Sequence, residues 1–77
     1  MKDLLIDIAK GLVNNPDAVT VDEDAANEDG VTVLHLHVAE GDIGRVIGKQ
    51  GKIAKAIRTI MRSASNRKDI NIRVEID

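Results

Sequence analysis

The chain has no cysteine and no phenylalanine, tyrosine or tryptophan. Without cysteine there is no disulfide framework, no thiolate metal site and no cysteine nucleophile. Without aromatic rings the chain cannot stack bases on an aromatic platform, as RRM sheets and most OB folds do. Binders that use backbone and aliphatic contacts survive that exclusion. No apolar run near the N-terminus is long enough for a signal peptide or a membrane span, so a cytoplasmic protein without a membrane partner is expected. No serine pairs with a histidine at a recognisable spacing, so an enzyme is not expected, and no cofactor is implied. His35 and His37 could hold a metal only with a third ligand, and none is evident nearby. Exposed strand histidines are the expectation.

What is present is charge, and it is segregated. The formal net charge is only −2 over 77 residues. Residues 1 to 44 hold Lys2 and Lys10 against ten acidic residues. Residues 45 to 68 hold eight basic residues and no acidic one. The last nine add one arginine and three acids. A run of unopposed positive charge around glycines marks a local function rather than a solvated helix face.

At this length the chain makes one domain, residues 1–77, without repeats or linkers. Asp3 is placed to N-cap a first helix, whose apolar stripe is Leu4, Leu5, Ile8, Ala9, Leu12 and Val13. Pro16 ends it, since the residue before a proline avoids the helical region. Val19 and Val21 mark a short strand. Residues 22 to 30 read as an acidic turn or loop ending in glycine. Residues 31 to 38 read as a strand, with Leu34, Leu36 and Val38 on one side and His35 and His37 on the other. Asp42 is placed to N-cap a short helix containing Ile43, Val46 and Ile47. A longer helix is predicted from about Gly51 to Ser65, and residues 66 to 69 turn the chain. Ile70, Ile72, Val74 and Ile76 alternate with Asn71, Arg73, Glu75 and Asp77, the pattern of a half-buried strand. Three strands with one apolar face, covered by three helices, give an α+β two-layer sandwich. Two helices separate the second and third strands, which allows those strands to run parallel.

Two glycines interrupt what would otherwise be one helix. Gly48-Lys49-Gln50-Gly51 is a G-x-x-G turn. Gly48 can take a backbone conformation other residues avoid, and missing side chains at both ends admit another backbone. The amides of Gly51, Lys52 and Ile53 open a new helix, and free N–H groups there favour an anion. Lys49 and Lys52 add mobile positive charge. A phosphodiester needs this combination of access, donors and cations. The nucleotide-hydrolysis motif G-x-x-x-x-G-K-[ST] does not fit, and neither does G-x-G-x-x-G.

Val46-Ile47-Gly48-Lys49-Gln50-Gly51 lies between helices in the order helix, strand, strand, helix, helix, strand. That combination resembles the type II, bacterial KH domain, and a stand-alone domain of this size is similar to the small KhpA family. The resemblance covers essentially the whole chain. One position departs from the common pattern: Ala54 stands where many KH domains carry a bulky aliphatic, with Ile53 before it and Ile57 one turn on. The resemblance implies a single-stranded RNA-binding protein whose GXXG loop clamps about four nucleotides, acting as an RNA chaperone or post-transcriptional regulator. It implies that Ile43, Val46 and Ile47, with part of the following helix, form an aliphatic groove for bases. Arg45, Lys49, Lys52 and Lys55 are then the phosphate-neutralising residues. The acidic loop would repel a misplaced strand.

The long helix carries more apolar surface than one contact needs. Ile53, Ile57, Ile60 and Ala64 form a predicted core stripe, and Ala54, Ile57 and Met61 a second, adjacent one. The excess suits a nucleotide groove, a second subunit, or burial on two sides by the domain itself. Homodimerisation, or pairing with a larger KH-domain protein, is what the resemblance implies for the second option. An assembly module with secondary RNA binding is therefore the alternative function.

Overall fold

The computed structural model describes residues 1–76. The first helix, α1, spans Lys2–Lys10. Its N-cap is Met1, so Asp3 lies inside the first turn rather than at the cap. There its carboxylate still faces the positive end of the helix dipole. Leu5 and Ala9 are fully buried on its inner face, while Ile8, Leu12 and Val13 pack at the core's margin and Leu4 is exposed. The helix ends at Lys10 with Gly11 as its cap, so Leu12 and Val13 lie beyond it and Pro16 is not what stops it. Pro16 instead opens a single 3-10 turn, Pro16–Ala18, where its missing N–H costs nothing.

Strand β1 is Thr20–Glu23 and strand β2 is Val31–His37, paired antiparallel with Val21 opposite Leu36 and Asp22 opposite His35. The acidic loop therefore starts later than the sequence suggests, because Asp22 and Glu23 belong to the strand. The ladder continues one step further, with the Asp24 amide donating to the Val33 carbonyl at 2.9 Å. The remaining loop is closed by Asn27, whose side-chain oxygen accepts from the amides of Asp29 and Val31 at 2.9 and 3.0 Å. An asparagine that bonds its own loop in this way substitutes for a backbone turn.

After a 3-10 turn at Glu40–Asp42 come α2, Ile43–Ile47, and α3, Lys52–Arg67. The long helix takes in Asn66 and Arg67, two residues assigned to the turn on sequence grounds. Asp69, with φ 57°, reverses the chain, and the Ile70 amide donates back to the Ser65 carbonyl at 3.0 Å. Strand β3, Asn71–Ile76, then pairs parallel with β2, Val31 opposite Asn71 and Leu36 opposite Ile76. The sheet order is β1-β2-β3, with β2 in the centre. Ile70 lies just outside β3 and is exposed, and Asp77, the last residue of the predicted alternation, lies outside the described residues.

Leu34, Leu36, Val21 and Val74 project from one sheet face into a core completed by Leu5, Ala9, Val46, Ile57 and Met61. The inner stripe of α3 is Ala54, Ile57, Met61 and Ser65. The predicted stripe through Ile53, Ile60 and Ala64 is thus rotated off the core: Ile53 and Ala64 are half-buried and Ile60 is 49% exposed. On the other sheet face the histidines are half-buried and held by carboxylates. His35 Nε2 lies 2.8 Å from Asp24 Oδ2, and His37 Nε2 lies 3.0 Å from Asp22 Oδ2. Each pair ties β1 and its continuation to β2. Among the described residues, no helix is long and apolar enough to cross a membrane.

Candidate nucleic-acid interface

The end of α2 and the start of α3 meet at the glycine turn. Gly48 terminates α2 with φ 75° and ψ 174°, a region essentially closed to side chains. Its amide donates to the Gly44 carbonyl at 2.8 Å. A 3-10 turn follows over Lys49–Gly51, with Gln50 at φ 60° and Gly51 at φ 74°, both left-handed. A non-glycine residue in that region costs about 1 kcal/mol or more, and such strain concentrates at functional sites.

The two glycines serve different ends. A β-carbon on Gly48 would lie 2.6 Å from Ile53 Cγ1 and 2.9 Å from both its Cβ and Cδ1. The missing side chain at Gly48 therefore makes room for Ile53, not for an incoming backbone. A β-carbon on Gly51 would meet nothing within 4 Å. That side of the turn is open, and it is the side an extended ligand can approach. The half-buried Ile53 consequently has a definite place: it braces the turn from below.

The donors also differ from the expectation. The Gly51 amide donates to the Gly48 carbonyl at 3.1 Å, and the Lys52 amide donates to the Lys49 carbonyl. Two of the three amides expected to be free are thus used inside the turn. The amides of Lys49 and Gln50 instead occupy the first positions of the 3-10 turn, where no acceptor lies behind them in the helix. The side chains of Lys49, Lys52 and Lys55 are exposed.

The predicted groove residues separate by depth. Val46 is fully buried in the hydrophobic core, so its side chain supports the groove from behind and is not part of its surface. Ile43 and Ile47 are half-buried and stand beside it on α2. Ala54, the position that departs from the common pattern, is buried on the inner face of α3.

Sequence reasoning gave Asp42 a capping role and missed what it does. Its side chain makes no cap hydrogen bond to α2. Asp42 is only 4% exposed and accepts from the backbone amides of Asn14 and Asn15 at 3.2 and 3.0 Å. Arg45 Nε lies 3.8 Å from Asp42 Oδ1. In the amide orientation that satisfies both groups, the Asn14 oxygen also accepts from Arg45 Nε and Nη2 at 3.1 and 3.0 Å. Arg45 is therefore partly committed to fastening α2 to the segment after α1. No short-range pattern links residues 14 and 42, so only the fold brings them together.

A model of the KhpA/KhpB KH domain matches residues 2–76. The chain belongs to that family. This KH domain is 50% identical to the RNA-binding protein KhpA of Clostridium acetobutylicum over 76 residues, covering 99% of each chain. It is 46% identical to the RNA-binding protein KhpA of Caldanaerobacter subterraneus subsp. tengcongensis, again over 99% of each. The Listeria monocytogenes protein of the same name is 42% identical, covering 99% of this chain and 97% of that one. Among solved structures, Era of Aquifex aeolicus superposes with a TM-score of 0.66 over 97% of this chain and 28% of Era. At 18% identity that likeness concerns the fold alone.

Proposed function

We propose that this KH domain binds single-stranded RNA with the phosphate backbone laid against residues 48 to 51. One observation carries the reading. A strained, braced turn is open at Gly51, and it lies in a stretch of eight basic residues without a carboxylate. Lys49, Lys52 and Lys55 neutralise phosphates, and the exposed part of Arg45 adds to them. Ile43 and Ile47 give the bases an aliphatic edge, with Val46 packed behind. Relatives at 40 to 50% identity bear the name RNA-binding protein, which supports the same reading. A groove of this kind holds about four nucleotides, and its backbone contacts are sequence-independent and weaken with salt. A cytoplasmic RNA chaperone or post-transcriptional regulator is the role that fits such a module.

Fluorescence anisotropy of a labelled single-stranded RNA tests the clamp. Lys49→Asp/Gln50→Asp should abolish most binding, and wild-type affinity should fall steeply as salt rises. Undiminished binding by the double variant would remove the turn from the interface, and a flat salt response would remove the electrostatic argument.

A second reading rests on Ile60, which is 49% exposed on α3 beside the half-buried Ile53 and Ala64. An exposed isoleucine flanked by further apolar side chains suits pairing with a second copy or with a larger KH-domain partner, as the family name KhpA/KhpB suggests. Two grooves in one dimer raise avidity through effective concentration. Sedimentation showing a strict monomer at high concentration would count against self-pairing.

A further inference from the structure

The cations around the glycine turn are not alike. Lys49, Lys52 and Lys55 are exposed, and among the described residues no acceptor holds their ammonium groups. Arg45 is held. Its Nε and Nη2 donate to the Asn14 side-chain oxygen at 3.1 and 3.0 Å in the amide orientation that satisfies both groups. Its Nε also lies 3.8 Å from Asp42 Oδ1, and the Arg45 side chain is still 53% exposed. One edge of the guanidinium is thus tied down, and Nη1 is left for a ligand. Arg45 stands three residues before Gly48, about 5 Å along α2 at 1.5 Å per residue. A strand laid on the glycine turn passes within its reach.

The tether rests on a buried support. Asp42 is only 4% exposed, and its two oxygens accept from the amides of Asn14 and Asn15 at 3.2 and 3.0 Å. The backbone that carries Asn14 is therefore fixed by the same carboxylate that faces Arg45. Asn14 itself is exposed, so its side chain adds little to the core; what it holds is the guanidinium. A planar guanidinium binds phosphate oxygens directionally, whereas an ammonium acts as a point charge. Ordering a long side chain on binding lowers affinity, and a guanidinium already ordered escapes that loss. We propose that Asn14 is a positioning residue for RNA binding: it holds Arg45 ready for a phosphate beside the glycine turn, and Asp42 holds Asn14. The lysines supply charge, and Arg45 supplies direction. This deepens the RNA-binding reading and rests on it.

A double-mutant cycle read by anisotropy of a labelled oligouridine tests the assignment. Arg45→Ala removes one phosphate contact, so affinity should fall and the slope of log affinity against log salt should shrink by about 0.7. Asn14→Ala leaves the charge and frees the side chain. It should weaken binding about three- to tenfold, the range for ordering one long side chain, and keep the wild-type salt slope. Arg45→Lys keeps the charge but cannot repeat the two bonds to Asn14, so it should match Asn14→Ala. In either Arg45 background, Asn14→Ala should add nothing. The urea midpoint of Asn14→Ala should stay near wild type, because the amides that Asp42 accepts from remain. Wild-type affinity in Asn14→Ala overturns the proposal, as do losses that add to those at Arg45 or a loss that tracks a fallen urea midpoint. If Lys49→Asp/Gln50→Asp still weakens binding in that case, the clamp stands and only the positioning role fails. If the wild-type protein binds no oligonucleotide, both readings fall together.

Discussion

Replacing Gly48 by alanine should damage this domain several times more than the same replacement at Gly51. Both residues have positive φ, 75° and 74°, so a simple count of left-handed glycines treats them alike. Their surroundings do not. At Gly48, ψ 174° puts the backbone where only glycine is comfortable, and holding an alanine there costs about 1–3 kcal/mol. The new methyl also arrives 2.6 Å from Ile53 Cγ1, and overpacking of that kind adds about 1–3 kcal/mol. Taken together the loss is about 4 kcal/mol, against a total stability of roughly 4–12 kcal/mol for a chain of this length. At Gly51, ψ 14° is ordinary left-handed backbone with open space beside it. The strain of about 1–2 kcal/mol is partly offset by the lower entropy of the unfolded chain, leaving about 1 kcal/mol. Thermal unfolding followed by circular dichroism reads the difference, since each kcal/mol moves Tm by about 4–8 °C in a domain of this size. Gly48→Ala should lower Tm by on the order of 20 °C and Gly51→Ala by on the order of 5 °C. Adding Ile53→Ala to Gly48→Ala removes the Cγ1 and Cδ1 contacts, so the pair should be less destabilising than the sum of the singles by about 1 kcal/mol. Equal losses at the two glycines, or strict additivity with Ile53→Ala, would refute the brace.

Two further substitutions probe the frame around the turn. Asp42→Ala leaves the Asn14 and Asn15 amides without their acceptor and releases Arg45. It should cost about 1–3 kcal/mol in urea unfolding and raise hydrogen-exchange rates at residues 14 and 15. Unchanged exchange there would mean that the carboxylate does not hold the segment. Met61→Ala empties a fully buried site and should cost about 2–5 kcal/mol. Ile60→Ala, one residue away on an exposed face, should stay within about 0.5 kcal/mol in dilute solution. A comparable loss at both positions would mean that the helix is rotated from the orientation described.

The parts of the fold that the sequence made legible are those where one local rule decides the outcome. β3 alternates because every second residue meets the helices. The glycine turn was legible because nothing else explains two glycines inside a helical pattern. What escaped depends on partners distant in the chain. Asp22 and Glu23 look like loop residues until β2 lies beside them, offering backbone partners and, for Asp22, the His37 ring. The rotation of α3 could not be read from its wheel, since two adjacent apolar stripes satisfy the same hydrophobic pattern. Gly48 settles the choice by drawing Ile53 beneath the turn, which leaves Ala54, Ile57 and Met61 to face the sheet. Asp42 looked like a helix cap because capping is the local use for an acid before a helix, and its real acceptor role spans 27 and 28 positions. In the candidate interface the cations and glycines were visible in advance. The burial of Val46 and the internal use of the Gly51 and Lys52 amides were not, because both are properties of the assembled turn.

The parallel pairing of β2 with β3 also governs how the molecule comes into being. Val31 cannot meet Asn71 until everything between them has been laid down. The loop that must close contains both helices and the turn, and its entropy is spent before the pairing returns anything. The β1–β2 hairpin, by contrast, needs only a short loop and can form early. Two of the fully buried residues that seal the core, Ile57 and Met61, lie on α3, whose sheet partner is that late strand. The glycine turn is held by its own short-range bonds, but the core beneath its two helices closes only when β3 docks, so local shape precedes the packing that fixes it in place.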